Sequence, residues 1–411
     1  MNNKIVERAF SHEQQALFDE ALALHRRENL GRAIKLYQKL HKKVPDHPRV
    51  LNLFGLATGQ NGDLLRAAKI LERATQVEPG FGEAWLNLGD IQLNSSNYDA
   101  AANSYEQACR LIPDSAASYL KYANASLQQG EHAKAVDAYE TSLKIDPENP
   151  VAWRNLTRAG VLNGDWNKAI EASDKALAYF PGNVGLLSLR SEALLEQGRS
   201  DDLTKLVDFD HLIETREFPA PNGFSDLKAF NAALSDHCIK HPSLVYEPEG
   251  KSTTKGHQTS NFALDTSLGP IAPLMSMIDQ AVRDYQLAHL LDDTHPFLAH
   301  HPANWDIDIW GTILGSQGHQ IPHIHYTGWL SGVYYARMPD CALSSINDQA
   351  GWIEFGRPPE RPKAKAAPVV RAYEPKEGMV VLFPSYFYHR TLPFESDDKR
   401  ISIAFDINPS T

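Results

Sequence analysis

Two different hydrophobic periods divide this chain of 411 residues. In the first half, large apolar and small residues recur in a scheme that repeats every 34 residues. Prolines stand at the same interval, as Pro45, Pro79, Pro113, Pro147 and Pro181. In the last quarter, short runs rich in β-branched and aromatic residues lie between glycines and prolines, which is typical of strands. The pattern predicts a helical repeat array followed by a β-rich domain.

Alignment on the prolines gives repeats that start near residues 14, 48, 82, 116 and 150. In the third repeat, Trp85 and Leu88 occupy positions 4 and 7, Gly89 position 8 and Tyr105 position 24. Position 20 is alanine throughout, as Ala33, Ala67, Ala101, Ala135 and Ala169. Small residues let two antiparallel helices approach, large ones fill the space between them, and the proline ends the second helix.

This pattern resembles the tetratricopeptide repeat in period and in residue types. The resemblance implies an α-superhelix, because a single helix pair cannot bury its apolar face and repeats must stack. Residues 184 to about 200 look like one more first helix, acting as a capping half-repeat or as the joint to the next domain. We therefore predict that residues 1–204 form the array.

Polar residues of the first helices tend to face the concave groove of such an array. They are Asn87, Asp90, Asn94, Asn124, Asn155 and Arg158. Two interpretations stay open: these side chains are solvated, or their amides and charges grip the backbone of an extended peptide. The second makes Asn87, Asp90, Asn124 and Asn155 peptide-binding candidates, and the resemblance suggests a protein or peptide partner.

The period is lost in residues 205–294, which we predict to be a linker and supporting helices. Residues 218–224 are linker-like, with two prolines and a glycine. Residues 225–241, with Ser225 as N-cap, and residues 273–291 read as amphipathic helices. Two helices ahead of a β-rich segment suggest a layer packed against one sheet.

Residues 295–411 are predicted to form the β-rich domain, as a sandwich or barrel. The strand-like segments are residues 305–314, 329–338, 352–356, 379–384 and 400–407. The fold class is thus multidomain: an all-α superhelix followed by an α+β part.

The candidate chemistry lies in this last segment. His323 and His325 are two residues apart, so on a strand they point to the same face and could reach one metal ion. His389 could join them from another strand. Arg400 follows eleven residues later, where its guanidinium could hold a carboxylate by two hydrogen bonds, and Ser402 faces the same way.

Residues 323–339, 377–394 and 400–407 together resemble a bacterial group of iron(II)/2-oxoglutarate-dependent oxygenases related to prolyl hydroxylases. The resemblance covers roughly residues 240–411. It implies a double-stranded β-helix (jelly roll), an Fe(II) centre, 2-oxoglutarate and O₂ as co-substrates, and hydroxylation of a C–H bond, often on a protein side chain. By position, His323 and His389 would bind the metal, and Arg400 and Ser402 would bind 2-oxoglutarate. Tyr335 is the strand aromatic that we predict to touch this co-substrate.

One position departs from the family pattern. The usual third ligand is Asp or Glu two residues after the first histidine, and here it is His325. We favour three imidazole ligands; the alternative places His325 outside the coordination sphere, with water or another carboxylate in its place. His300, His301 and His319 are rival ligands, and Arg390 is the rival of Arg400.

Composition narrows the function classes without choosing among them. A formal net charge of −11 argues against a general nucleic-acid or anionic-membrane binder. Three dispersed cysteines, no apolar leader and no long apolar run favour a cytoplasmic protein without a membrane span. Three functions stay open: a 2-oxoglutarate-dependent hydroxylase of protein or peptide side chains, a cupin-type metalloenzyme that does not use 2-oxoglutarate, and a non-catalytic repeat scaffold.

Overall fold

The computed structural model describes residues 9–290, 292–344 and 349–410, with no account of side chains 343 and 344. The chain divides into two compact units, Met1–Asn163 and Gly164–Thr411. None of the described helices is both long and apolar enough to pass through a bilayer.

The first unit is a series of antiparallel helix pairs. Its helices are α1 (His12–Arg26), α2 (Leu30–Lys43), α3 (Pro48–Gln60), α4 (Leu64–Val77), α5 (Gly82–Asn94), α6 (Tyr98–Leu111), α7 (Ala116–Gln128), α8 (His132–Ile145) and α9 (Pro150–Asn163). From the second repeat on, each first helix begins at the residue that the 34-residue alignment gives, and α1 begins two residues before the predicted start.

The small and large positions of the repeat pack as the pattern requires. The position-20 alanines are fully buried, and so are Tyr37, Leu71, Tyr105 and Tyr139 at position 24. A Cβ built on Gly89 would lie 2.5 Å from the ring of Tyr105, and one on Gly55 would lie 2.5 Å from Leu71. Glycine at position 8 is therefore needed for the close approach of the two helices.

The second unit combines helices with one sheet. Its helices are α10 (Trp166–Tyr179), α11 (Val184–Glu196), α12 (Ser200–Leu206), α13 (Phe209–Leu212), α14 (Leu227–Lys240), α15 (Ile271–Ala288) and α16 (Asp340–Ser344). Its strands are β1 (Glu214–Glu217), β2 (Val245–Tyr246), β3 (Thr253–Gln258), β4 (Asn304–His323), β5 (Leu330–Arg337), β6 (Ile353–Phe355), β7 (Arg371–Tyr373), β8 (Met379–Pro384), β9 (His389–Thr391) and β10 (Arg400–Ser410).

The strands of the described residues form one antiparallel sheet that curls into a half-barrel. The order is β1-β8-β5-β10-β4-β9-β6-β7, and β3 joins β4 with β2 beside it. The long strand β4 changes partner along its length: residues 304–314 pair with β10, and its end pairs with β9 through His323 and His389. This change of partner brings the two histidines to the same place.

Each predicted strand is present in the structure, while the bounds of both predicted helices differ from the prediction. Helix α14 is capped by Asp226, not by Ser225, because the Asp226 carboxylate accepts a hydrogen bond from the backbone N–H of Ala229 at 2.7 Å. Helix α15 ends at Ala288 rather than at residue 291. The helix predicted from residue 184 to about 200 is α11, and the short helix α12 follows it.

Candidate metal and anion site

Three histidines of the second unit converge on one point. His323 ends β4 and stands opposite His389, the first residue of β9. His325 lies just beyond the end of β4, where its backbone N–H donates to the carbonyl oxygen of Ser385 at 3.1 Å. One ligand nitrogen from each of the three imidazoles lies within 4.8 Å of the others. The predicted triad is thus brought together, although His325 is outside the strand that was expected to hold it.

In each of the three imidazoles, Nδ1 faces an oxygen atom. The acceptors are the carbonyl oxygens of Ile321 for His323 at 2.8 Å and of Phe387 for His389 at 3.0 Å. For His325 the acceptor is the Asp406 carboxylate at 2.5 Å. Carbonyl and carboxylate oxygens accept, so Nδ1 carries the proton and Nε2 offers its lone pair. Metal-binding histidines are usually held in this way.

Asp406 connects the metal candidates to the sheet beneath them. It lies on β10, is 8% exposed, and also accepts a hydrogen bond from the Ser331 hydroxyl at 2.7 Å. Ser331 in turn is 2.7 Å from the hydroxyl of Ser385. This network fixes the orientation of His325 and places a negative charge directly behind it.

Burial keeps His323 and His389 neutral. It lowers the pKa of His323 to about 3, and the neighbouring His325 adds to the effect. Burial also holds the pKa of His389 well below its usual range, with His323 as the next cause. Neutral imidazoles have free lone pairs at neutral pH, as metal binding requires.

A second polar group lies on the same strand as Asp406. Arg400 and Ser402 are 1% and 2% exposed, and by strand alternation they share a face of β10 with Asp406. The Arg400 guanidinium donates to the Ser402 hydroxyl at 3.0 Å and lies 5.1 Å from the ring centroid of Tyr335. In the sheet, Ser402 stands between Tyr335 on β5 and Thr312 on β4.

This polar group is incompletely paired. Among the described residues, Arg400 forms no ion pair, and besides Ser402 it donates to the carbonyl oxygen of Gly351 at 3.2 Å. Within the same described ranges, the buried hydroxyls of Tyr335 and Thr312 have no hydrogen-bond partner. Because a buried charge without a counter-ion costs considerable free energy, this arrangement fits an anionic ligand such as a carboxylate.

The rival residues have other contacts. Arg390 follows His389 but forms an ion pair with the buried Glu354 at 2.7 Å. His319 contacts the carbonyl oxygen of Gln317 at 3.1 Å, and His301 contacts the Gln286 amide at 2.9 Å. Neither these two nor His300 is part of the histidine cluster.

The groove candidates contact side chains of neighbouring repeats. Asp90 accepts from Tyr105 at 2.7 Å and forms an ion pair with Lys121 of the next first helix. Asn124 likewise accepts from Tyr139 at 2.6 Å and from Asn155 at 3.0 Å. Asn87 donates to Asn52 of the preceding first helix at 2.9 Å. These contacts join consecutive repeats; peptide binding by these residues stays a prediction.

The residue patterns did not identify two members of the second unit's site. Asp406 lies four residues after Ser402 in a predicted strand, so strand alternation could have placed it on the same face. Thr312 carries no such signal, because only the pairing of β4 with β10 places it beside Ser402.

Known protein families match two separate parts of the chain. Residues 308–406 match the family described as "Putative 2OG-Fe(II) oxygenase". Residues 52–116 and 92–150 match the tetratricopeptide repeat model. The chain therefore contains tetratricopeptide repeats joined to a domain of this oxygenase family, which confirms both resemblances. Tetratricopeptide repeats generally mediate protein or peptide binding.

Several solved structures of MamA and one of YrrB are similar to this chain, and each of these covers less than half of it. A MamA protein has 24% identity over 40% of this chain and 90% of its own, with a TM-score of 0.38. MamA from Desulfovibrio magneticus RS-1 has 20% identity over 41% and 96%, with a TM-score of 0.39. YrrB, titled a TPR protein with an unusual peptide-binding site, has 18% identity over 42% and 88%, with a TM-score of 0.38. No curated protein matches significantly.

Proposed function

We propose that this protein is an Fe(II)/2-oxoglutarate-dependent dioxygenase that hydroxylates a protein or peptide side chain recognised by the repeats. The curled sheet would then be the core of a double-stranded β-helix. One observation carries the proposal. Three imidazoles with a lone pair on Nε2 and a buried arginine without a described counter-ion lie in the same unit, and Asp406 and Arg400 share one face of β10. The lone pair of His323 faces the Ser252 hydroxyl at 3.2 Å, a contact that a bound metal would replace.

In this proposal His323, His325 and His389 hold the metal through Nε2. When bound, iron(II) with 2-oxoglutarate and O₂ supplies an oxidant for C–H bonds, and 2-oxoglutarate becomes succinate and CO₂. Hydrogen bonds to Ile321, Phe387 and Asp406 fix the three rings before any metal binds, so little ordering is left to oppose binding.

Asp406 explains how an all-histidine site can serve this chemistry. The usual site contains a carboxylate ligand, and here a carboxylate stands one hydrogen bond behind His325. The His325–Asp406 pair thus supplies the negative charge of the usual ligand at a greater distance. An aspartate accepting from a metal-binding imidazole also raises the basicity of that ligand.

Arg400 would bind the distal carboxylate of 2-oxoglutarate, with further hydrogen bonds from Ser402, Thr312 and Tyr335. This assignment pairs the buried guanidinium and gives partners to the two hydroxyls that lack them among the described residues. Burial raises the pKa of Tyr335 to about 12, against the effect of nearby Arg400. Its hydroxyl therefore stays protonated and can donate to an anion.

The experiment that tests this function is an assay of succinate release, in single-turnover and steady-state form, by protein prepared without oxygen and reloaded with Fe(II). Succinate should form slowly from 2-oxoglutarate even without a substrate. His389→Ala should abolish this reaction, and Arg400→Ala should suppress it at 2-oxoglutarate concentrations that saturate the wild type. Arg337→Ala is the matched control, because Arg337 lies on β5 with a half-exposed ion pair to Asp398. Candidate peptides are then ranked by how far they accelerate succinate release.

The same assay tests the cupin-type alternative, with which the three-histidine cluster His323, His325 and His389 is also compatible. A protein that binds Fe(II) through the three histidines but neither binds nor converts 2-oxoglutarate would be a metalloenzyme of that other kind. A protein that takes up no metal would overturn the catalytic proposal and leave a repeat scaffold.

A further inference from the structure

A second cluster of metal-binding side chains lies outside the site described above. It consists of His237 on α14, His241 directly after that helix, and Asp265 after the short 3₁₀ turn Phe262–Leu264. One ligand atom from each lies within 4.8 Å of the other two. We propose that these three residues form a site for a divalent metal ion of zinc type, separate from the proposed iron centre.

The two clusters lie on opposite faces of β4. A Cβ built on Gly311 would lie 2.7 Å from the sulfur of Cys238 on α14 and 3.3 Å from Phe262, so this residue faces α14. Trp310, the preceding residue, stacks on His325 with ring centroids 5.7 Å apart. Neighbouring strand residues point to opposite faces, and the second cluster is therefore a separate site.

The geometry is set by the fold around the cluster. His237 and His241 are four residues apart, which puts them on one side at the end of α14. Phe262 is fully buried and packs edge-on against both rings, at 5.1 and 5.0 Å. The adjacent Asn261 accepts from the backbone N–H of Ile309 at 3.0 Å. The segment that carries Asp265 is thus fixed to β4 before any ion binds.

One atom of the cluster lacks a partner. Nε2 of His237 is buried and makes no hydrogen bond to the described part of the chain, which ordinarily destabilises a fold. Nε2 of His241 lies 2.9 Å from the Asp265 carboxylate, and Nδ1 of the same ring lies 2.7 Å from the Ser243 hydroxyl. A cation between the three would give His237 a partner and replace the His241–Asp265 hydrogen bond with two metal bonds.

The chemistry of the donors narrows the choice of ion. Two imidazole nitrogens and one carboxylate oxygen suit Zn²⁺ and other divalent transition metals, iron(II) included, whereas Mg²⁺ and Ca²⁺ prefer oxygen ligands alone. Zn²⁺ is the redox-inactive ion of this group and serves as the probe. Asp265 is 26% exposed on its side chain, so water can reach the fourth position. The bound ion would join the end of α14 to the loop before α15, and we infer a stabilising role for it.

The test is Zn²⁺ stoichiometry in the full-length protein, measured by calorimetry and by metal analysis after dialysis. Zn²⁺ also suits the three-histidine site, so the wild type should bind two ions per chain. His237→Gln should bind one, His389→Ala one, and the double variant none. Asp236→Asn is the matched control: Asp236 neighbours His237 but pairs with Lys240 at 2.7 Å, and it should still bind two.

A second measurement keeps the proposal testable if one variant fails to fold. In the His389→Ala protein, saturating Zn²⁺ should raise Tm by at least about 2 °C, and Mg²⁺ should not. Asp265→Asn should abolish this shift as His237→Gln does. The proposal would be overturned if both variants bound Zn²⁺ and showed the same Tm shift as the His389→Ala protein from which they were made. This outcome does not depend on the activity of the iron centre.

Discussion

The two units of this protein are stabilised by contacts of very different range along the chain. In the repeat unit, close packing joins the two helices of one pair, such as Gly89 with Tyr105 and Gly55 with Leu71. In the sheet unit, the interactions that build the site join His325 to Asp406, 81 residues later, and Ser331 to Asp406, 75 residues later. A fold made of short-range contacts leaves a period in the sequence, and one made of long-range pairing does not.

A further contrast separates two sets of polar residues, the groove candidates of the first unit and the residues around Arg400 in the second. In the repeat unit, Tyr105 and Lys121 both donate to Asp90, and Tyr139 and Asn155 both donate to Asn124. In the sheet unit, Arg400 has no counter-ion among the described residues. Within those same residues, the hydroxyls of Tyr335 and Thr312 have no hydrogen-bond partner. Paired groups stabilise a fold, whereas buried unpaired groups are typical of ligand sites. We therefore expect substitutions to have different consequences in the two units.

The largest effect is expected at the point where β4 and β9 meet. His389→Ala should weaken Fe(II) binding by more than about 100-fold, beyond the range for loss of outer partners of a metal site. His319→Ala is the matched histidine control and should leave binding unchanged. Fe(II) titration without oxygen measures both. Equal binding by the wild type and His389→Ala would mean that the three imidazoles do not act together.

Arg400→Ala should raise the Kd and KM for 2-oxoglutarate by about 30-fold or more, since losing one partner of a buried, hydrogen-bonded charge pair costs ~2 kcal/mol or more. Fe(II) affinity should stay the same, because Arg400 does not belong to the histidine cluster. Titration with 2-oxoglutarate and succinate assays measure the change. If Arg390→Ala had this effect instead, Arg390 on β9 would be the residue that binds 2-oxoglutarate, and the assignment to Arg400 on β10 would be wrong.

Asp406→Asn should lower Fe(II) affinity by about 10–100-fold, as expected when the outer partner of a metal-binding histidine is lost. Asparagine keeps the shape of the side chain and removes the charge behind His325. The redox potential of the bound iron should rise at the same time, since a negative charge near the metal is gone. An unchanged potential would mean that Asp406 only orients the ring.

Substitutions in the repeat unit should have the smallest effect on the metal and anion site. They should nevertheless change the stability of the unit clearly. Gly89→Ala should destabilise that unit by about 1–3 kcal/mol, because the new Cβ would clash with Tyr105. Gly31→Ala, in α2 with nothing within 4 Å, should instead stabilise by up to ~1 kcal/mol. Denaturant unfolding measures both, and neither should change Fe(II) affinity.

Local residue patterns were enough to predict the repeat array and the main strands of the second unit. The position-8 and position-20 residues define the helix pairs, since each pair is built from neighbours in the chain. The five strand segments are predicted by their β-branched and aromatic residues. Strand alternation also placed Arg400 and Ser402 on one face.

The pairing of those strands, and hence the content of the site, depends on the folded chain as a whole. The change of partner along β4, the position of Thr312 beside Ser402, and the contact of Asp406 with His325 all require register between distant strands. The three-residue cluster of His237, His241 and Asp265 requires a loop held in place by Phe262 and Asn261. Long-range pairing is selected by the packing of the entire sheet, and no local pattern of residues encodes it.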